Sequence, residues 1–107
     1  MSLDISLHEI SRHSVYESNI THNLTTMAEA LGVYQAIWRP EEVGIKYAKD
    51  LIPLLEQKLM ELVLGKKEYE QYNPSNGWGS YESFVKFLQN LLTACNEHPE
   101  AEIEVDR

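Results

Sequence analysis

Leu3-Asp4-Ile5-Ser6-Leu7-His8 alternates apolar and polar residues with a period of two, the pattern of a strand with one buried and one wet face. Ala101-Glu102-Ile103-Glu104-Val105-Asp106 repeats the pattern at the far end. A lone strand leaves its backbone N–H and C=O groups without partners, so the economical arrangement pairs the two ends in one small sheet whose apolar side is covered by helices. Ile10 to Val15 reads either as another short strand or as a connection.

Between the ends the period changes. Ile20, Leu24, Met27, Leu31 and Tyr34 recur at spacings of three and four, which places them on one helical face and predicts a first helix from Asn19, capped by Ser18 or Asn19 and ended or weakened by Gly32. Arg39-Pro40-Glu41-Glu42 reads as a helix start or a turn, with Gly44 blurring it. Ile45, Ala48, Leu51 or Ile52, Leu55, Leu59 and Leu62 then continue a helical stripe to Gly65, and Pro53 predicts a kink near Lys49 and Asp50. A short helical turn is expected over Lys66–Tyr72. Asn73-Pro-Ser-Asn-Gly-Trp-Gly79 is dense in turn-forming residues and reads as the longest loop. Ser80 is the expected cap of a last helix whose Tyr81, Phe84, Val85, Leu88, Leu91, Leu92 and Cys95 face the core, and Asn96 to Pro99 ends it. The predicted fold class is therefore α+β and helix-dominated, with three main helices packed on a sheet of the terminal strands, in a single domain over 1–107.

Composition agrees with a domain of this size. The chain has 107 residues, 43% hydrophobic and 24% charged, an ordinary globular balance that can bury one core but not two. No run approaches a membrane span, and the start lacks the basic and apolar regions of a signal peptide, so a cytoplasmic location is expected. Met1 and Ser2 are given no functional weight. The net charge is −8 and the one basic pair, Lys66-Lys67, is followed by Glu68 and Glu70, which argues against nucleic-acid binding through phosphates. The same charge, interleaved with lysines, is too dilute for a nucleic-acid mimic. A single cysteine rules out an internal disulfide or a multi-cysteine zinc site, and His8, His13, His22 and His98 lack paired metal-ligand spacing. No metal and no cofactor is expected.

Two segments are candidates for binding. Asn19, His22 and Asn23 fall at i, i+3 and i+4 of the predicted first helix, so all three would project beside its free N–H groups, a surface suited to an anion or a small polar ligand. The structural alternative has Asn19 as a cap and His22 bonded to a loop. Asn76-Gly-Trp-Gly-Ser-Tyr-Glu82 places two glycines around Trp78 just before a helix. It reads either as a recognition tip carrying Trp78 and Tyr81 or as a tight path that lets Trp78 plug the core. It lacks the lysine of a phosphate loop. Trp38-Arg39 offers a possible clamp, or an anchor at a helix junction. Cys95, within an apolar stripe, reads as a buried thiol, and the acids at Glu41-Glu42 and Glu100-Glu102-Glu104 as solvated faces.

Asn19-Ile-Thr-His-Asn23, Leu51-Ile-Pro-Leu-Leu55, Asn73-Pro-Ser-Asn-Gly-Trp-Gly-Ser-Tyr-Glu82 and Cys95-Asn-Glu-His-Pro99 with its following strand resemble a family of small uncharacterised bacterial and phage-associated proteins. The resemblance spans most of the domain and is most specific at Asn-Gly-Trp-Gly. It implies one compact fold and, since that family has no established activity, transfers no catalytic residue. The residues favour a non-enzymatic binding or protein-interaction module whose site is Asn19, His22, Asn23, Trp78 and Tyr81 and whose partner is an unknown protein or a small polar ligand. The alternative is a small hydrolase or transferase with His22 as general base. Sheet edges also allow a homodimer.

Overall fold

The computed structural model describes residues 1–9 and 13–107. Strands β1 (Ser2–Glu9), β2 (His13–Thr21) and β3 (Glu102–Asp106) form an antiparallel sheet in the order β2-β1-β3. The terminal strands do pair: Ile5 lies opposite Val105 and Leu7 opposite Ile103. On the other side of β1, Leu3 faces Ile20 and Ile5 faces Ser18, with the register shifting between Leu7 and His8 so that Val15 has no opposite residue, a bulge that twists β2. With neighbours on both edges, β1 buries Leu3, Ile5 and Leu7 completely or almost so. Its other face is wet and carries Asp4, Ser6 and His8 beside Asn19 and Glu17 of β2 and Glu102, Glu104 and Asp106 of β3.

Helices α1 (Thr25–Leu31), α2 (Tyr34–Trp38), α3 (Ala48–Leu64), α4 (Lys66–Tyr69) and α5 (Tyr81–Glu97) cover the apolar face. The core joins Leu3, Ile5 and Leu7 to Leu24, Met27 and Leu31, to Leu51, Leu55 and Leu62, and to Phe84, Leu88 and Leu91. Phe87 and Ala94 also bury against it, beyond the stripe the spacing assigned to the last helix, while Val85 and Leu92 pack at its margin. Ser80 caps α5 through Ser83 N at 3.1 Å, and Ser83 Oγ accepts from Ser80 N at 2.9 Å, so both ends of the first turn are satisfied.

The first helix starts later than its apolar spacing predicts. Asn19 and Ile20 belong to β2, a 3-10 turn occupies His22–Leu24, and α1 begins at Thr25. Thr21 is the cap, accepting from Asn23 N at 3.2 Å, in place of Ser18 or Asn19. The reason is pairing: Ile20 fills its inward position opposite Leu3, so its burial satisfies the strand and the helical spacing equally, and the backbone bonds to β1 decide between them. Of the Ile10–Val15 stretch, residues 13–15 lie in β2 and residues 10–12 fall outside the described residues. Gly32 ends α1 at φ 91°, as expected of a left-handed cap.

Pro40–Val43 is a 3-10 turn rather than the start of the next helix, closed by Gly44 at φ 76°. Helix α3 begins at Ala48 and continues through Pro53 to Leu64. At its start Asp50 Oδ2 accepts from Tyr47 N at 3.0 Å and Lys46 N at 3.3 Å. These two backbone bonds, Tyr47 first, hold the Asp50 carboxyl below its usual pKa. A carboxylate favoured by the fold contributes its full stabilisation above the ordinary aspartate range and loses it as the pH falls through the lowered value. Urea midpoints measured across the acid range should therefore fall less steeply for Asp50→Asn than for the wild type, and parallel curves would discount the cap.

Candidate functional site

The loop between the 3-10 turn Glu70–Tyr72 and α5 is braced along its whole course. Asn73 Oδ1 accepts from Tyr81 N at 2.7 Å, and Asn76 Oδ1 accepts from Trp78 N at 3.0 Å. Gly77 and Gly79 take φ values of 77° and 97°, a region that side chains with a Cβ seldom enter. Gly79 has a second reason to be glycine: a Cβ there would stand 2.7 Å from Thr21 Cγ2 and 3.2 Å from Leu24 Cδ1. The loop thus lies directly against the junction of β2 and α1. Asn23 Nδ2 completes the contact by donating to Trp78 O at 3.3 Å.

Trp78 itself stays in solvent, 72% exposed, while its amide and carbonyl are both bonded. The alternative in which its ring plugs the core does not hold. The fold therefore brings Asn23 and Trp78 together across 55 positions of sequence and fixes the backbone from which the indole projects.

The remaining candidate residues go elsewhere. Tyr81 is 5% exposed and its hydroxyl donates to Leu62 O at 2.7 Å, tying the start of α5 to the end of α3. Burial pushes its phenol pKa up. Asn19 lies exposed on the wet face of the sheet, opposite Asp4, in a shallow groove with Ser6, Glu17 and Ser18. It therefore does not share a helical surface with His22 and Asn23. His22 donates its backbone N–H to Met1 O at 3.1 Å, and its Nε2 is buried with no hydrogen-bond partner.

Trp38 is buried and stacked on Tyr34 with ring centres 5.6 Å apart. Arg39 reaches Tyr34 Oη at 3.3 Å and Glu42 at 2.8 Å, and Arg107 donates to Trp38 O at 2.8 Å. This pair anchors the junction between α2 and the Pro40 turn. Cys95 is buried, and desolvation pushes its thiol up to about 12, far from the thiolate a nucleophile needs. Among the described residues no group of three or more His, Cys, Asp or Glu side chains is placed to hold a metal ion.

Two surface features are absent from the sequence reading. On the wet sheet face Ser6 Oγ lies 2.8 Å and Glu104 Oε2 2.9 Å from the same nitrogen, His8 Nε2. The second is an apolar groove on α3 and α5, lined by Glu56, Leu59, Met60, Val63, Leu64 and Gln89. Its signal was present in the sequence as apolar positions on α3 that exceed what the core stripe uses.

The close approach at Gly79 gives a direct test of the site's bracing. Gly79→Ala must both hold a positive φ and displace Thr21 or Leu24, and should cost about 3 kcal/mol in chemical denaturation. Gly77→Ala, with open space around the new methyl, should cost about 1 kcal/mol; equal losses would count against the packed junction. No family model, curated protein or solved structure matches the chain, so its site is defined by its own geometry.

Proposed function

We infer that this domain is a non-enzymatic binding module of the cytoplasm that engages a partner protein, or a small polar ligand, through the surface around Trp78 and Asn23. The observation that carries the reading is the exposed indole on a braced loop. Tryptophan is normally well buried, and leaving most of its surface in water forgoes hydrophobic stabilisation. Exposed tryptophans that bind are characteristically the anchors that dominate an interface. The bracing supports the same reading, because a loop already held in one conformation loses little entropy when it docks.

The side chains bonded to the Trp78 backbone, those of Asn23 and Asn76, are polar and uncharged. Asn23, Ser75 and Asn76 are exposed, which favours a partner contributing an apolar or aromatic contact with hydrogen bonds at its rim. His22 as a general base of a hydrolase or transferase has less support, because Nε2 is shielded and unpartnered, whereas a base needs access to the proton it removes.

Trp78→Ala should leave stability within about 0.5 kcal/mol of the wild type, as a substitution at an exposed side chain, while abolishing capture of a partner by the immobilised domain. A captured set that is the same with and without Trp78 would dismiss this surface. Acrylamide quenching supplies an independent check: emission should contain one accessible component, lost in Trp78→Ala, and one shielded component from Trp38.

A further inference from the structure

We propose that Asn76 is a site of spontaneous deamidation, and that its conversion to isoaspartate removes the brace under Trp78. The chemistry stands by itself, and only its effect on binding rests on the role inferred for the Trp78 surface. Of the asparagines in the chain, Asn76 alone precedes a glycine. Asn19, Asn23, Asn90 and Asn96 precede bulkier residues and lie in strand or helix, and Asn73 precedes Pro74, which has no N–H to lose.

The reaction needs the Gly77 nitrogen to reach Asn76 Cγ. Once that nitrogen has given its proton to solvent hydroxide, it forms a bond to Cγ and closes a succinimide ring, and Nδ2 takes up a proton from water and leaves as ammonia. Water then opens the ring at either carbonyl. Opening at the former side-chain carbonyl gives aspartate, and opening at the main-chain carbonyl gives isoaspartate, with the chain now running through Cγ. No oxidant or cofactor enters.

Four features of the loop favour these steps. Asn76 and Gly77 are exposed, so water reaches both. Even a Cβ built on Gly77 would meet nothing within 4 Å, and the Gly77 N–H is held only by a long bond to Pro74 O, at 3.5 Å. Trp78 N donates to Asn76 Oδ1 at 3.0 Å, which places a fixed donor where negative charge develops as the nitrogen adds. The departing Nδ2 has no hydrogen-bond partner among the described residues.

The consequence follows from the anchors on either side. Asn73 Oδ1 holds Tyr81 N at 2.7 Å, and Gly79 is packed on Thr21 and Leu24. Isoaspartate lengthens the main chain by one carbon between these fixed points and draws Oδ1 into the peptide link to Gly77, away from its place at Trp78 N. The loop then loses the single conformation that made docking cheap in entropy. Aspartate keeps an acceptor for Trp78 N and adds a negative charge beside it.

Peptide mapping by mass spectrometry, after the full chain has stood for weeks in mildly alkaline buffer at body temperature, tests the chemistry. Residue 76 should exchange NH2 for OH, take up label from heavy-oxygen water and become a substrate for an isoaspartyl methyltransferase, while the other asparagines stay amides. Asn76→Gln should abolish the methylation signal, and Gly77→Ala should slow it about tenfold or more. In NMR the Trp78 amide should exchange with solvent faster in aged protein, with the core amides unchanged. Asn76 left intact after a free peptide of residues 73–80 has converted, equal conversion at the other asparagines, or conversion without faster exchange at Trp78 would each overturn the proposal. Trp78→Ala keeps the backbone N–H and should age at the wild-type rate. Failure of the Trp78 capture test therefore leaves the mass result standing, and an unreactive Asn76 leaves the Trp78 surface standing.

Discussion

Strand β1 is bonded on both edges, and the rest of the molecule is arranged around that fact. A central strand of a three-stranded sheet has no unsatisfied backbone edge, so its inward side chains are committed to the core. Leu3, Ile5 and Leu7 supply the floor on which α1, α3 and α5 lie. The flanking strands then serve different ends: β3 closes one side by pairing the chain's far segment with its beginning, and β2 delivers the chain to the base of α1. Beyond β3 the closure continues, with Ile103 N donating to Lys46 O and Ala48 N to Ala101 O. The start of α3 is thereby registered on the sheet by backbone bonds, and the Asp50 cap acts at the same place.

That registration also positions the candidate site. Thr21 and Leu24 sit where β2 gives way to helix, and Gly79 packs on them with no room for a methyl. Just past the other end of α5 the chain is tied to the start of α3 by Lys49 N donating to Pro99 O at 2.9 Å, and His98 Nδ1 stands 3.2 Å from Glu9. Tyr81 in turn locks α5 to α3 through Leu62 O. An indole exposed at the tip is thus carried by groups that are themselves bonded or packed, and the surface around it is fixed before any partner arrives.

The architecture was legible where one pattern had one physical solution. Alternation at Leu3–His8 and Ala101–Asp106 can be satisfied only by pairing, and the Ser80 cap followed by an apolar stripe has no plausible reading other than a helix. Ile20 was illegible for the opposite reason: it fits the inward row of β2 and the helical row leading to Leu24 and Met27, and only the bonds to β1 distinguish them. Placing Asn19 on a helix followed from that ambiguity. The partial legibility of the site has the same origin. Two glycines around Trp78 announce an unusual path, yet nothing in the local sequence says whether the ring turns inward or outward, because that depends on Thr21, Leu24 and Asn23, which lie far away in the chain. Tyr81 stood in two readings, as the first core-facing residue of the last helix and as part of a recognition tip, and the fold gives it the buried place with Leu62 O as partner. The groove at Met60 and Leu64 was hidden because apolar residues on a helix are read as core until the other helices are seen to leave them uncovered.

The pairing of β1 with β3 joins segments separated by nearly the length of the domain. Closing so distant a contact delays its entropic reward until most of the intervening chain is in place. During synthesis β1 and β2 emerge first and can form a hairpin, but the edge of β1 that β3 will occupy stays open until the domain's last strand leaves the ribosome. For that interval the nascent chain presents Leu3, Ile5 and Leu7 next to an unpaired strand edge, a combination prone to association with other chains. Completion of folding is thus timed by the emergence of five residues, Glu102–Asp106, and a delay there prolongs the aggregation-prone stage of the chain's life.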